Sequence, residues 1–178
     1  MKSQVLLQKK EMARILERLA SQIIEKYDEC DQLMLVGIQR RGVDIAARLG
    51  HILSERLGKT IPLGSLDINF YRDDWTSLQS NPQVGTSTMP HDVENAVVVL
   101  VDDVLYTGRT IRAALEALMD YGRPRAVELL VLIDRGHREL PIHANYVGRQ
   151  INTSSKEHIN VLLEEKDGID QVSLSKPE

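Results

Sequence analysis

The chain has 178 residues, of which 42% are hydrophobic and 27% charged, with a single cysteine and a formal charge of −4. At about 150 residues per domain this is one domain, residues 1–178, with enough apolar side chains for a real core, and that excludes a largely disordered chain. A lone Cys30 excludes a disulfide scaffold, no apolar run nears the ~18 residues of a membrane span, and the acidic balance excludes binding to nucleic acid by global charge alone.

Met12, Ile15, Leu16, Leu19 and Ile23 recur at helical spacing and predict a first helix with one apolar face. Leu33 to Val36 is a short continuous apolar run, which reads as a buried strand. Val43 to Leu57 is helical again, with Ala46, Leu49, Leu53 and Leu57 on one side and Gly58 as its stop. Leu66, Ile68 and Phe70 alternate with Asp67, Asn69 and Tyr71, which predicts a strand with one wet or functional face.

Periodicity then vanishes from 72 to 95, where Asn81-Pro82, Gly85, Met89-Pro90 and many Ser and Thr stand. A run of that length reads as a flexible lid over a site, with a plain insertion as the alternative. Val97 to Val101 is wholly apolar and predicts a buried parallel strand. Thr110 to Asp120 predicts a helix, Val127 to Ile133 a second buried strand, and Tyr146-Val147 and Ile159 to Leu163 two weaker strands. The tail 166–178 is acidic. Strands alternating with helices predict an α/β fold with a mostly parallel central sheet flanked by helices.

Ligands of such sheets bind at the C-terminal ends of strands. Asp102 and Asp103 stand where the valine-rich strand ends. Adjacent carboxylates leaving a buried strand are costly to desolvate, and as acceptor-only groups they suit sugar hydroxyls or a metal-bound water. Thr107-Gly108-Arg109-Thr110 then opens a helix whose first N–H groups are free for a phosphate. The competing reading is an ordinary helix start capped by Thr107 or Thr110, which leaves the aspartates unexplained. Between the first strand and second helix, Arg40 and Arg41 lie between Gly37 and Gly42 and suit a second anion such as pyrophosphate. A third strand end carries Asp134-Arg-Gly-His-Arg-Glu-Leu-Pro141, and no general base is assigned to its His137. Between Gly122 and Gln150, Arg123, Arg125, Arg135, Arg138 and Arg149 face only Glu128, Asp134 and Glu139. That stretch is either a solvated surface or a local nucleic-acid patch.

The Val98–Thr110 segment resembles the phosphoribosyl-pyrophosphate (PRPP) motif of type I phosphoribosyltransferases. Together with Tyr71-Arg-Asp-Asp74, Gly37–Gly42, Gly122-Arg-Pro124 and Asp134–Pro141, it is similar to one branch, the PyrR family of bifunctional pyrimidine-operon regulators and uracil phosphoribosyltransferases. The resemblance runs from the first helix to about Glu165. It implies the type I fold with a small hood from the terminal segments, a cytoplasmic homodimer or larger assembly, and the reaction of uracil with PRPP to give UMP and pyrophosphate. Mg²⁺ would be held mainly through PRPP, with Asp102 and Asp103 as further ligands. By the same resemblance Asp102 and Asp103 face the ribose hydroxyls. Val104, Leu105, Tyr106, Thr107, Gly108, Arg109 and Thr110 form the PRPP loop, and Arg40 and Arg41 meet the pyrophosphate. Arg72 sits on the closing loop, and Arg135 and Ile159 contact the nucleotide or base. A leader mRNA of a pyrimidine operon would be the second partner, through Arg18, Arg125, His137, Arg138, Arg149 and Lys156. RNA-binding members are expected to carry Thr-Arg and, three residues on, His in the first helix. Here Glu17, Arg18 and Ser21 stand there, and Glu17 opposes an approaching phosphate. Two other readings stay open at this point: a nucleotide-sensing RNA regulator without catalysis, and a purine phosphoribosyltransferase.

Overall fold

In a computed structural model, residues 2–73, 85–90 and 93–176 are described. The elements in chain order are β1 (Lys2–Gln8), α1 (Lys9–Tyr27), β2 (Leu33–Ile38), α2 (Arg41–Leu57), β3 (Leu63–Leu66), a 3₁₀ turn (Asn69–Tyr71), β4 (Val97–Leu105), α3 (Arg109–Met119), β5 (Ala126–Asp134), β6 (Tyr146–Gln150), β7 (His158–Leu162), α4 (Glu164–Asp167) and β8 (Gln171–Lys176). Five of the strands form a parallel sheet in the order β3-β2-β4-β5-β6.

The continuous apolar runs are explained by burial on both faces. Side chains alternate across a strand. Leu33, Leu35, Val97, Val99, Val101, Leu130 and Leu132 therefore pack with Leu16, Leu19, Ile23, Ile45, Leu49 and Leu53 of α1 and α2. Met34, Val36, Ile38, Val98, Leu100, Leu129 and Val131 pack on the other face with Ile111, Ala114 and Leu118 of α3. Gly58, at φ 66°, ends α2 where the sequence places the stop.

One expectation is corrected. The alternating segment from Leu66 to Tyr71 is not a strand, because β3 stops at Leu66 and the chain turns through Asn69–Tyr71. Asp67 forces the turn. Its carboxylate accepts the Asn69 N–H at 2.9 Å and the Gly85 N–H, an Asx-type closure that competes with the sheet ladder. The acidic tail belongs to the folded unit, as the hood implied by the resemblance requires. β8 is buried at Val172, Ser173, Leu174 and Ser175, and it is the middle strand of an antiparallel sheet β1-β8-β7. Three of the acids in that region are held by α2 and another by Lys9: Arg48 binds Glu165 and Asp170, Arg41 binds Asp167, and Lys9 binds Glu164. This small sheet, with α4, is the hood.

Most of the expected flexible loop lies outside the described residues. Its described C-terminal part is structured: Thr88 bridges Ser65 through paired backbone hydrogen bonds at 2.8 Å.

Candidate active site

The strand order sets the position of the cleft. The chain leaves β2 toward β3 on one side, and β4 then lies on the other side of β2. An open parallel sheet gapes at such a reversal. Both flanking loops carry the residues singled out above. A cleft of about 420 Å³ opens there, lined by Gln39, Arg40, Arg41, Asp67, Ile68, Asn69, Arg72, Asp102, Asp103, Val104 and Thr110.

The loop after β2 approaches β4 without side chains between them. A Cβ on Gly42 would stand 2.3 Å from the Val101 carbonyl oxygen, and one on Gly37 2.4 Å from the Val43 Cα. Both glycines are thus required for backbone proximity. The Gln39–Arg40 peptide is cis, and Arg40 precedes the first turn of α2.

Asp102 and Asp103 lie within the last turns of β4, since the strand runs on to Leu105. Asp102 is 6% exposed. Its Oδ1 accepts the Asp103 N–H at 2.9 Å, and Asp103 Oδ1 accepts the Val104 N–H at 2.8 Å. Burial, reinforced by the neighbouring Asp103 carboxylate, raises the Asp102 carboxyl well above the ordinary aspartate range. Burial raises Asp103 as well, against the Val104 N–H and the positive charge of Arg41. A ligand that brings hydroxyl donors or a cation would relieve both.

The loop from Tyr106 to Gly108 leads into α3. Gly108, at φ 94°, occupies the N-cap position, and no side chain caps the helix. The Thr107 hydroxyl reaches only the Arg109 N–H, at 3.3 Å, and Thr110 is exposed. Capping therefore does not account for the two threonines. Arg109 is held outside the cleft by Asp73 and by Glu139, the latter at 2.6 Å. Arg41 is held by Asp167 of the hood at 3.0 Å. Arg72 is exposed and lines the cleft.

The third loop joins the second. Arg135 is buried, and its guanidinium carbon lies 4.0 Å from the centroid of the Tyr106 ring. One nitrogen donates to the Ser154 carbonyl at 3.1 Å, and its Nε has no partner among the described residues. Ile159, in β7 of the hood, is half-buried against the core.

Of the residues named for RNA contact, Arg18, His137, Arg138 and Arg149 each hydrogen-bond the protein's own backbone. Arg18 donates to the Val147 and Gly148 carbonyls of β6. Arg149 reaches the Leu6 carbonyl, His137 bonds the Thr153 carbonyl at 2.6 Å, and Arg138 is turned inward. Lys156 is exposed. Arg125 precedes β5 and so stands at the opposite end of the sheet from Asp102, lining a separate hollow with Tyr27 and Asp28. Glu17 is paired with Arg56. Gln39, Asp67, Asn69 and Asp167 belong to the cleft or its rim although the sequence reading did not name them as site residues. Asp67 and Asn69 carried a signal, since they fell on the polar face of an alternating segment. Asp167 carried none, because only the fold of the hood brings it to α2.

A family model described as "Phosphoribosyl transferase domain" matches residues 3–166. A protein of Syntrophobacter fumaroxidans named "Bifunctional protein PyrR" is 50% identical over 98% of this chain and 94% of its own length. The chain belongs to the PyrR family of phosphoribosyltransferases. A second PyrR, from Pelotomaculum thermopropionicum, is 52% identical over 94% of this chain and 92% of its own. Among solved structures, a hypoxanthine phosphoribosyltransferase of Trypanosoma cruzi superposes with a TM-score of 0.75 over 98% of this PyrR-family chain and 91% of its own, at 18% identity. That likeness speaks for the type I fold and not for the base.

Proposed function

We propose that this chain is a uracil phosphoribosyltransferase, converting uracil and PRPP to UMP and pyrophosphate, and that it also regulates a pyrimidine operon by UMP-dependent binding of leader mRNA. One observation carries the enzymatic part. In a chain half identical to PyrR proteins over nearly its whole length, a buried Asp102 and a half-buried Asp103 stand near the end of β4 and the uncapped N-terminus of α3 follows within one loop.

The ribose 2′- and 3′-hydroxyls donate to Asp102 and Asp103. The 5′-phosphate takes the free N–H groups and hydroxyls of Thr107 to Thr110. Arg40, Arg41 and Arg72 meet the pyrophosphate. In the reaction the bond from C1′ to the pyrophosphate oxygen breaks, and its electron pair leaves with pyrophosphate. A new bond forms from C1′ to uracil N1, whose proton passes to water or to the departing pyrophosphate. Positive charge builds on the sugar between the two carboxylates, and negative charge builds on the leaving group among the arginines. Among the described residues no group of three or more His, Cys, Asp or Glu is placed to hold a metal ion. Two carboxylates beside a phosphate-binding cleft fit a Mg²⁺ held mainly by PRPP oxygens, with Asp102 and Asp103 as further ligands, and the ion would neutralise the leaving pyrophosphate.

The family-implied assembly is a homodimer or larger oligomer in the cytoplasm. No helix among the described residues is long and apolar enough to cross a membrane.

The test is a PRPP-dependent assay with uracil, hypoxanthine, guanine and adenine side by side, beside filter binding of leader RNA with and without UMP. Turnover of uracil alone is expected. Preferential turnover of a purine, or no turnover with any base, overturns the enzymatic reading.

A further inference from the structure

Arg138 sits in the loop between β5 and β6, with its side chain 16% exposed. An arginine on a connecting loop ordinarily extends into water. This one folds back and spends its guanidinium on two loops at once. Nε donates to the Ile142 carbonyl of its own loop at 2.9 Å, and Nη2 binds the Asp134 carboxylate at the end of β5 at 2.6 Å. Nη1 donates to the Gly136 carbonyl at 3.2 Å and, across the gap, to the Tyr106 carbonyl at 2.8 Å in the β4–α3 loop.

The backbone follows the same path. The Arg135 N–H donates to the Leu105 carbonyl at 3.1 Å, and the Glu139 and Leu140 N–H groups donate to the Thr107 carbonyl at 2.9 and 3.2 Å. The loop that would hold a 5′-phosphate and the loop after β5 thus form one hydrogen-bonded body, with a charged fork at its centre. Such bonds to an ionised donor are about twice as strong as neutral ones, and lysine cannot reproduce the fork.

We propose that Arg138 is a positioning residue that clamps the phosphate loop to the β5–β6 loop and so fixes the distance between the 5′-phosphate and base subsites. This rests on the nucleotide-site reading above. A nucleotide touches both loops, so a rigid spacing makes its second contact intramolecular. A ligand that touches the phosphate loop alone gains nothing from it.

The discriminating experiment compares UMP with ribose 5-phosphate by calorimetry on the full chain and on Arg138→Lys and Arg138→Gln. Asp134→Asn is the milder variant if either substitution prevents folding. UMP affinity is expected to fall about tenfold or more, while ribose 5-phosphate changes by less than about twofold. Equal losses for both ligands, or no loss for either, overturn the clamp. So does a variant that loses leader RNA at saturating UMP while UMP affinity is unchanged, since Arg138 would then be an RNA contact. If the unmodified chain binds neither ligand, the nucleotide-site reading fails by itself. Amide hydrogen exchange then still decides the clamp. Arg138→Lys is expected to speed exchange at Arg135, Glu139 and Leu140 together by about tenfold, and unchanged exchange overturns it.

Discussion

The guanidinium of Arg41, at the start of α2, is bound by the carboxylate of Asp167 in the hood at 3.0 Å, with a second contact at 3.3 Å to the other oxygen. Asp167 also accepts the Leu163 N–H at 2.9 Å. The backbone N–H and then Arg41 hold its carboxyl below the ordinary aspartate range, so the pair is intact at neutral pH. An arginine so engaged is not available to pyrophosphate, and PRPP must compete with the hood for it.

Asp167→Asn is therefore expected to lower the KM for PRPP by about two- to fivefold, the scale of a partly exposed pair, with kcat little changed. Steady-state kinetics at low and high salt check this. The advantage of the variant should shrink as salt screens the pair in the unmodified chain. An unchanged or raised KM would mean that Asp167 does not compete with substrate.

The aspartate pair gives a prediction in which stability and activity move in opposite directions. Burial raises both carboxyl pKa values in the ligand-free protein. Below the ordinary value of about 3.9 the folded and unfolded states are both protonated. Above it the unfolded chain ionises first, so stability is lost as pH rises through the raised folded values. Asp102→Asn removes that penalty. Its melting temperature at neutral pH should rise, by roughly 2–4 °C for each kcal/mol relieved, and the decline in Tm with pH should flatten. Turnover should fall by about a hundredfold or more, since acceptors for the ribose hydroxyls are lost at the point where charge develops. Thermal scans from pH 4 to 8 beside kinetics read both effects.

This pair also shows what a sequence can disclose. The place of Asp102 and Asp103 at the cleft was legible because two acids following five apolar residues sit badly in a buried strand. The strands of the parallel sheet were legible for a related reason, since burial on both faces leaves runs without alternation. The hood was not. β8 is buried at four consecutive residues, yet it reads Gln-Val-Ser-Leu-Ser-Lys, too short and too polar to stand out from an acidic tail. Its partner β1 is also far away in the chain, with Lys2 opposite Lys176. The segment from Leu66 to Tyr71 misled for the opposite reason. Its alternation is genuine, but the Asp67 carboxylate captures the backbone N–H of Asn69 and turns the chain out of the sheet. Arg138 misled likewise, because charge alone does not reveal that an arginine folds inward.

Gly42 offers a test of the approach between the β2–α2 loop and β4. Gly42→Ala would drive its Cβ to 2.3 Å from the Val101 carbonyl oxygen and 3.3 Å from the Asp102 Cα. No flexible side chain is there to yield, so the loop must move. A loss of about 1–3 kcal/mol in unfolding free energy is expected, on the scale of overpacking, together with a raised KM for PRPP because Arg40 and Arg41 ride on that loop. Gly58→Ala, at the far end of α2, meets nothing within 4 Å and should cost stability through its φ of 66° without touching the KM. Urea denaturation of the two variants beside their kinetics separates the effects.

Distance from the cleft makes Glu128 a pure stability probe. It is 7% exposed, and its carboxylate binds Lys26 and accepts the Tyr146 hydroxyl at 2.7 Å. Burial works against ionisation, but Lys26 and Tyr146 prevail and hold the pKa below the ordinary glutamate value. The sign is the reverse of that for Asp102. The stabilisation is present above the ordinary pKa of about 4.3 and is lost as pH falls through the lower folded value. Tyr146→Phe should cost about 1–2 kcal/mol at neutral pH by removing a bond to a charged acceptor, and less below pH 4. Catalysis should be unaffected at temperatures where the variant is folded.

The first helix decides the RNA function. Arg56 donates to the Ser21 hydroxyl at 2.8 Å and is paired with Glu17, while Arg18 is engaged with the carbonyls of β6. On the face that should meet RNA, Arg56 is thus paired with an acid and Nη2 of Arg18 is engaged in place. Glu17→Thr with Ser21→His removes one negative charge, releases Arg56 and restores the residue pattern expected of RNA-binding members. Leader RNA is expected to bind this double variant more tightly, and the slope of log affinity against log salt should steepen by about one unit for each additional phosphate neutralised. Arg56→Gln on the same background should reverse most of that increase and leave UMP affinity unchanged, because Arg56 lies in α2 well removed from the cleft-lining residues. Filter binding at two salt concentrations, with UMP saturating, reads all three proteins. If the double variant binds no better than the unmodified chain while uracil turnover is robust, the helix face takes no part in RNA recognition, and the regulatory half of the proposed function loses its structural basis.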